Sequence, residues 1–367
     1  MAETTRRERL KLALSFENHN ELCHLEHGFW PETYERWKME GLPGHVKYPA
    51  FFGTTGEEDL FTHFNIFKLG YVRPETYFFP QFPTEVLDET DRYIIEKNGN
   101  GVTLKRSKVS ISLPLFMDYP IKEKKDYSEL RDRLCGSLSD RYPTNWKDWA
   151  GKLKCQTHTP VCLHFDGLFA YPREIMGLET MLTTFYDDPE FMHDLINDRV
   201  EFYMRVYERA IRDTQPDMAF IWEDMSYKNG PLISPALFEN FMLPGYRALT
   251  GYLKDMGIRH IIADSDGDVA KLMPLWAKGG VTAVLPFEVR AGMDVTKIGE
   301  DFPEIALLGG IDKHEIAKGK DNINHELDRV LPKMKKRGGY VAALDHWVPP
   351  DISLDDFRYY SDQIGKY

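Results

Sequence analysis

From Pro160 to the C-terminal end the chain alternates short apolar runs with amphipathic segments, and most of the runs stop at an acid. The runs are Pro160 to Phe165, Asp217 to Trp222, Ile258 to Asp264, Val281 to Leu285, Ile305 to Leu308 and Tyr340 to Leu344. Between them lie helical patterns: Arg173 to Tyr186, a long helix opened by Pro189 with Met192, Leu195, Ile196, Tyr203 and Val206 on one face, and a helix capped by Ser234 and closed by Gly257. Val269 to Lys278, Val295 to Gly299, Asn322 to Lys336 and Ser353 to Ile364 continue the series. Such alternation requires a parallel sheet, open or closed. No GxGxxG follows the first strand and no P-loop occurs, so the phosphate-cradling open sheets have no support. The expected fold is α/β, a (β/α)8 TIM barrel, with residues 1–367 as one barrel domain.

The N-terminal part is less regular. Thr5 to Ser15 reads as a helical extension, and Glu21 to Trp30 as a first strand ending in Glu26 and His27. The stretch from Pro31 to Tyr119 is irregular and rich in Phe, Tyr and Pro. Within it Arg92 to Lys97 and Val102 to Ile111 alternate about Asn98-Gly-Asn-Gly101, whose residues tolerate positive φ, so a β-hairpin insertion capping the barrel is expected over about 31–119. Asp126 to Leu134 and Asn145 to Leu153 carry helical patterns.

With 46 basic and 58 acidic residues the formal net charge is −12, which disfavours nucleic acid and anionic membranes as partners. Cys23, Cys135, Cys155 and Cys162 form no CxxC pair, so neither a disulfide framework nor a thiolate zinc knuckle is indicated. No run reaches the length of a membrane span, and the N-terminus has no apolar signal core. A cytoplasmic protein is expected.

The residues at the ends of these runs are Glu26 and His27, His164 and Asp166, Glu223 and Asp224, Asp264 and Asp266, Glu288, Asp312, then Asp345 and His346. In a barrel these positions converge on the C-terminal mouth. Some have ordinary explanations: Asp268 and Asp312 read as helix caps, His164 suits a hydrogen-bonded core position, and His260 begins its strand at the wrong end. The remaining carboxylates repel one another unless a metal, another cation or shared protons intervene. A mixture of Asp, Glu and His suits zinc.

Motifs spread from Arg6 to Tyr359 resemble the uroporphyrinogen decarboxylase superfamily, which includes corrinoid-dependent methyltransferases. They are Arg7-Glu-Arg-Leu10 with Phe16-Glu-Asn18, Met176-Gly-Leu-Glu179 with Asp187-Asp-Pro-Glu190, Leu232-Ile-Ser-Pro235, Asp264-Ser-Asp-Gly267, Leu308-Gly-Gly-Ile-Asp-Lys313, and Asp345-His346 before Val348-Pro-Pro-Asp351. The resemblance implies a barrel with its site at the mouth. Two departures narrow it. Where the decarboxylases carry an arginine-rich opening motif for their acidic tetrapyrrole, this chain has Glu26-His-Gly-Phe-Trp30. Where thiol-activating methyltransferases carry a zinc-binding His-x-Cys-Gly turn and a later Cys, it has Asp264-Ser-Asp266-Gly267, and no cysteine follows Cys162.

What remains is similar to members that demethylate methoxylated aromatics or methylamines and pass the methyl to a cobalamin on a separate small protein. The resemblance thus implies a corrinoid carrier protein as partner, a small methyl donor, and a homodimer. A metal site of Glu223, Asp264, Asp266 and His346 is expected in preference to Asp224, Glu239 and His260. The expected general acids are Asp166 and Asp345, and the expected substrate-binding residues are Glu26, His27, Trp30, His164 and Phe165, with Phe29, Phe169 and Trp347 as further pocket candidates. A decarboxylase or lyase acting on a small carboxylic acid is the alternative, and it needs cationic anchors, for which Arg173, Arg290 and Lys313 are the candidates. A binding module without catalysis is the third reading.

Overall fold

A computed structural model describes residues 4–17, 21–49, 58–109, 113–138 and 140–367. At its centre are eight strands: β1 Cys23–His24, β2 Gly70–Val72, β3 Val161–Asp166, β4 Met218–Trp222, β5 His260–Asp264, β6 Ala283–Leu285, β7 Ala306–Leu308 and β8 Tyr340–Ala342. They pair in parallel and in chain order from β2 to β8, and β8 pairs with β1. A parallel bridge between Leu25 and Phe67 joins β1 to the residues entering β2 and closes the ring. This is the expected TIM barrel.

The strands are continuous apolar runs because both faces are covered. Cys162, Met218, Phe220, Ile262, Leu285, Leu308 and Val341 fill the lumen with Leu25, Leu69 and Tyr71. Their alternates, such as Leu163, Phe165, Ala219 and Ile221, pack against the helical shell. The helix Arg6–Leu14 closes the N-terminal end, where Leu10, Ala13 and Leu14 join the lumen cluster. Thr5 and Glu8 form its capping box, and Arg7 pairs with Asp217 at 2.6 Å.

The long helix spans Pro189–Thr214 with Asp188 as cap and its expected apolar face buried. Other elements differ from expectation. The Arg173 to Tyr186 segment is two helices, Ala170–Met176 and Leu178–Asp187, broken where Gly177 takes φ 79°. The helix after Ser234 is divided into Pro235–Leu237, a wider turn over Phe238–Met242, and Leu243–Asp255. Val269 to Lys278 is helical only over Met273–Lys278, and Asp268 accepts from the Ala270 amide in the turn before it.

The 31–119 stretch is more than a cap. It contains β2 itself and the helix Pro31–Met39. Its insertion is a four-stranded antiparallel meander of Glu85–Glu89, Tyr93–Lys97, Thr103–Ser107 and Leu115–Asp118, set after β2 and therefore on the mouth side. The Asn98 side chain accepts from the Asn100 and Val102 amides and so holds the expected turn. Of the strand expected over Val102 to Ile111, residues 110 and 111 lie outside the described residues. Among the described residues no helix is long and apolar enough to cross a membrane.

Candidate active site

The turn after β5 is held from three sides. Ser265 Oγ accepts from the Met225 amide at 2.9 Å, the Asp268 amide donates to the Tyr227 carbonyl at 3.0 Å, and the Gly267 amide donates to Glu288 at 2.9 Å. Gly267 has φ 80°, and a Cβ there would stand 2.7 Å from the Tyr227 backbone, so no other residue fits. The turn therefore presents Asp266 in a fixed direction.

Asp266 meets His346 from the end of β8, with His346 Nε2 3.3 Å from its Oδ2. Glu288, from the loop after β6, completes the group: one ligand atom from each of Asp266, Glu288 and His346 lies within 4.8 Å of the others. Glu288 follows Phe287, a buried aromatic at φ 65°, a conformation that is costly for such a side chain and recurs at functional sites. The His346 ring is stacked on Trp30 at 6.1 Å with 17° between planes, and Trp30 leans on Trp347 at 5.4 Å.

The electrostatics follow from crowding. Burial, then the charges of Asp266 and Asp224, raise the pKa of buried Asp264 well above the ordinary carboxyl range. Burial acts the same way on Asp266, but hydrogen bonding and charge from His346 outweigh it and leave Asp266 lowered. His346 is pushed down by burial and up more strongly by Asp266, and ends raised. His27 stands 3.7 Å from Asp264; burial, followed by the His346 charge, lowers it to about 4, so it is a neutral ring at ordinary pH.

The other expected site residues are placed elsewhere, and the carboxylates among them are engaged by protein partners. Glu223 is fully buried: its carboxylate accepts from the Leu168, Phe169 and Ala170 amides at 2.8, 2.8 and 3.1 Å and from the Tyr246 hydroxyl. It serves the start of the helix Ala170–Met176, and a Cβ on Gly167 would collide with it at 2.0 Å. Asp166 is bound by Arg73 at 2.7 Å. Asp345, fully buried, accepts from the Val289 amide at 2.9 Å and from the Lys313 amide and ammonium at 3.2 and 3.1 Å, and so ties three mouth loops together.

Glu26 points out of the barrel, where His24, Tyr360 and the Leu344 amide hold it at 2.7, 3.0 and 3.1 Å. Phe165 also turns outwards and stacks on Tyr207 at 4.0 Å. His164 is buried and stacked on Phe220; burial lowers it to about 4. Asp224, Glu239 and His260 do not meet: Asp224 pairs with Arg173 at 3.1 Å, Glu239 with Lys278 at 3.0 Å, and His260 opens β5 near Lys11 and Asp217 at the far end. Asp312 is the helix cap it was expected to be, accepting from the His314 amide.

A cavity of about 130 Å³ lies at the seam between β1 and β2. Leu25, His27, Tyr71, Phe220, Leu308 and Trp347 are among the residues that line it. His27 thus faces both the cavity and Asp264. Of the cations around the mouth, Arg73, Arg173 and Lys313 are each joined to an acid, to Asp166, Asp224 and Asp345, while the third expected anchor, Arg290, lies exposed in the loop after β6.

Residues 153–367, more than half of the chain, match the family described as Uroporphyrinogen decarboxylase (URO-D). The chain belongs to this family. Its match includes every strand from β3 to β8 and all three residues of the Asp266–Glu288–His346 group. A uroporphyrinogen decarboxylase from Syntrophotalea carbinolica is 24% identical over 210 residues, which span 57% of this chain and 57% of that protein. A methyltransferase from Methanosarcina mazei superposes over 99% of both chains with a TM-score of 0.61 at 13% identity, a likeness of fold.

Glu288 is the site residue that sequence reasoning placed in the ring of acids but left out of the metal set. Its signal was weak, because Pro286 and Phe287 separate it from its strand and nothing local shows that it turns back to Gly267.

Proposed function

We propose that this protein is a methyltransferase that moves a methyl group from a small methylated donor, a methoxylated aromatic or a methylamine, to a corrinoid presented by a carrier protein. The observation that carries the reading is the convergence of Asp266, Glu288 and His346 at the barrel mouth, together with a mostly apolar cavity walled in part by His27, 3.7 Å from Asp264, and by Trp347, the residue after His346. Two carboxylate oxygens and an imidazole nitrogen suit zinc, and three protein ligands leave a coordination position open, as catalytic zinc sites do. Trp30 supports this fit by fixing the plane of the His346 ring. When bound, the metal would supply Lewis-acid polarisation of the atom from which the methyl departs.

The chain's own residues contribute the rest. The cavity walls exclude water and orient the donor, and neutral His27 offers a hydrogen bond at its inner edge. Lys313, whose ammonium is 3.9 Å from Glu288, stands where it can donate to an oxygen that gains charge. Asp166 and Asp345 already accept from cations, so in this reading they anchor Arg73 and Lys313 and do not serve as proton donors.

The family name and the curated relative favour the alternative, decarboxylation of a carboxylic acid. Against it stands the pairing of Arg73, Arg173 and Lys313 with acids, so that an anionic substrate would have to compete for each of these three and would be left with exposed Arg290. Methylation of reduced cobalamin, followed by its absorbance against methoxylated aromatics and methylamines with the zinc-loaded protein and its carrier, tests the proposal. Turnover abolished in Asp266→Ala with an intact fold is the expected result. Failure with every donor, together with carbon dioxide release from a small acid, would replace it by the lyase reading.

A further inference from the structure

At the end of the barrel away from the mouth, a cleft of about 700 Å³ opens between the N-terminal helix and the C-terminal residues. Its wall carries Arg6, Arg9 and Lys366 against Glu21 and Asp362, with His158 beside them, an excess of one formal cation in a chain of net charge −12. Arg6 and Arg9 lie over the same ring, with Cζ 5.4 and 5.9 Å from the centroid of Phe67. Burial, followed by the charge of Arg9, lowers the pKa of Arg6. Asn65 aims the Arg6 guanidinium, accepting at 2.7 Å through its carbonyl.

Among the described residues Arg9 has one acid, the mostly exposed Glu21 at 2.8 Å, and such a pair contributes little. Its Nε is buried with no hydrogen-bond partner among the described residues. Two guanidiniums over one ring, with a single solvent-screened carboxylate paired to them, leave repulsion that an anion would relieve, and a buried N–H calls for an acceptor. The size is that of small-molecule sites, roughly 300–1,000 Å³. Phe64, Phe67 and Ile364 give the cleft an apolar part as well.

We propose that this cleft is a binding site for a small phosphate-bearing molecule, with Arg6 and Arg9 holding the phosphate and Lys366 and His158 at its rim. Guanidinium groups match phosphate oxygens in geometry, and the charge of a phosphate answers more than one cation. The site does not depend on the chemistry at the mouth.

Titration calorimetry of the full chain with inorganic phosphate, pyrophosphate and adenosine monophosphate at low ionic strength tests this. The expected result is saturable binding of one phosphate-bearing molecule per chain, weakened about tenfold or more in Arg9→Gln and in Arg6→Gln, and unchanged in Asp266→Asn at the mouth. If either arginine variant fails to fold, the exposed pair His158→Gln with Lys366→Gln serves instead, with a several-fold loss expected. No saturable binding by any of the three probes, or binding that survives these substitutions, would overturn the proposal.

Discussion

The barrel mouth has two arcs that use the same residue types to different ends. Along β1, β3 and β4 the strand-end acids Glu26, Asp166 and Glu223 have their oxygens taken by amides, hydroxyls, a histidine or an arginine. After β5 and β6 the acids Asp264, Asp266 and Glu288 crowd one another and share His27 and His346, while Asp345 after β8 is satisfied like the first group. A carboxylate that accepts several protein hydrogen bonds has its charge satisfied and belongs to the scaffold. One that faces other carboxylates has charge left over for a cation. What separates scaffold from site is therefore the supply of donors, not the acid or its distance from the strand.

The sharpest way to break this comparison is at Glu223. Its removal leaves three amides and the Tyr246 hydroxyl unpaired in the interior, so Glu223→Ala should cost about 3 kcal/mol or more in denaturant unfolding. Glu288→Ala should change stability by less than about 1 kcal/mol while lowering zinc affinity at least about 100-fold in a chelator competition. Equal stability losses in the two would end the distinction between the arcs.

A smaller effect is expected from pH. Burial holds His164 at about 4 while an unfolded histidine titrates near about 6.5, so between these values the unfolded chain takes up a proton that the folded chain refuses. That contribution is full above pH 6.5 and is lost as pH falls towards 4, at up to about 1.4 kcal/mol per pH unit. His164→Gln should flatten the slope of stability against pH in this window, measured by urea unfolding. Least disruptive should be Trp30→Ala, which removes the stacking partner of His346 and should weaken zinc binding about tenfold, with Trp30→Phe restoring most of it. An unchanged affinity would show that the His346 ring is fixed by other contacts.

The fold was legible where the strand runs were long. β3, β4 and β5 announce themselves as apolar segments between helical patterns, Pro189 opens the long helix and Ser234 caps its helix as their positions suggest. β2 was not legible: Gly-Tyr-Val is too short to show a period and lies in an aromatic-rich stretch, and its neighbours supply the pairing that makes it a strand. Gly177 likewise broke a helix that periodicity alone would continue.

For the site, the sequence by itself determined that acids and histidines close the strands of a parallel α/β chain, and that the Asp264-Ser-Asp-Gly267 turn offers oxygen and no nitrogen or sulfur ligands. Only the tertiary structure decided which acids remain available. Glu223 and Glu288 are both single glutamates after a strand, yet one is enclosed by a helix start and the other turned by Phe287 towards Asp266 and His346. That outcome depends on donors and loops contributed from distant parts of the chain, and a strand end read in isolation carries no record of them.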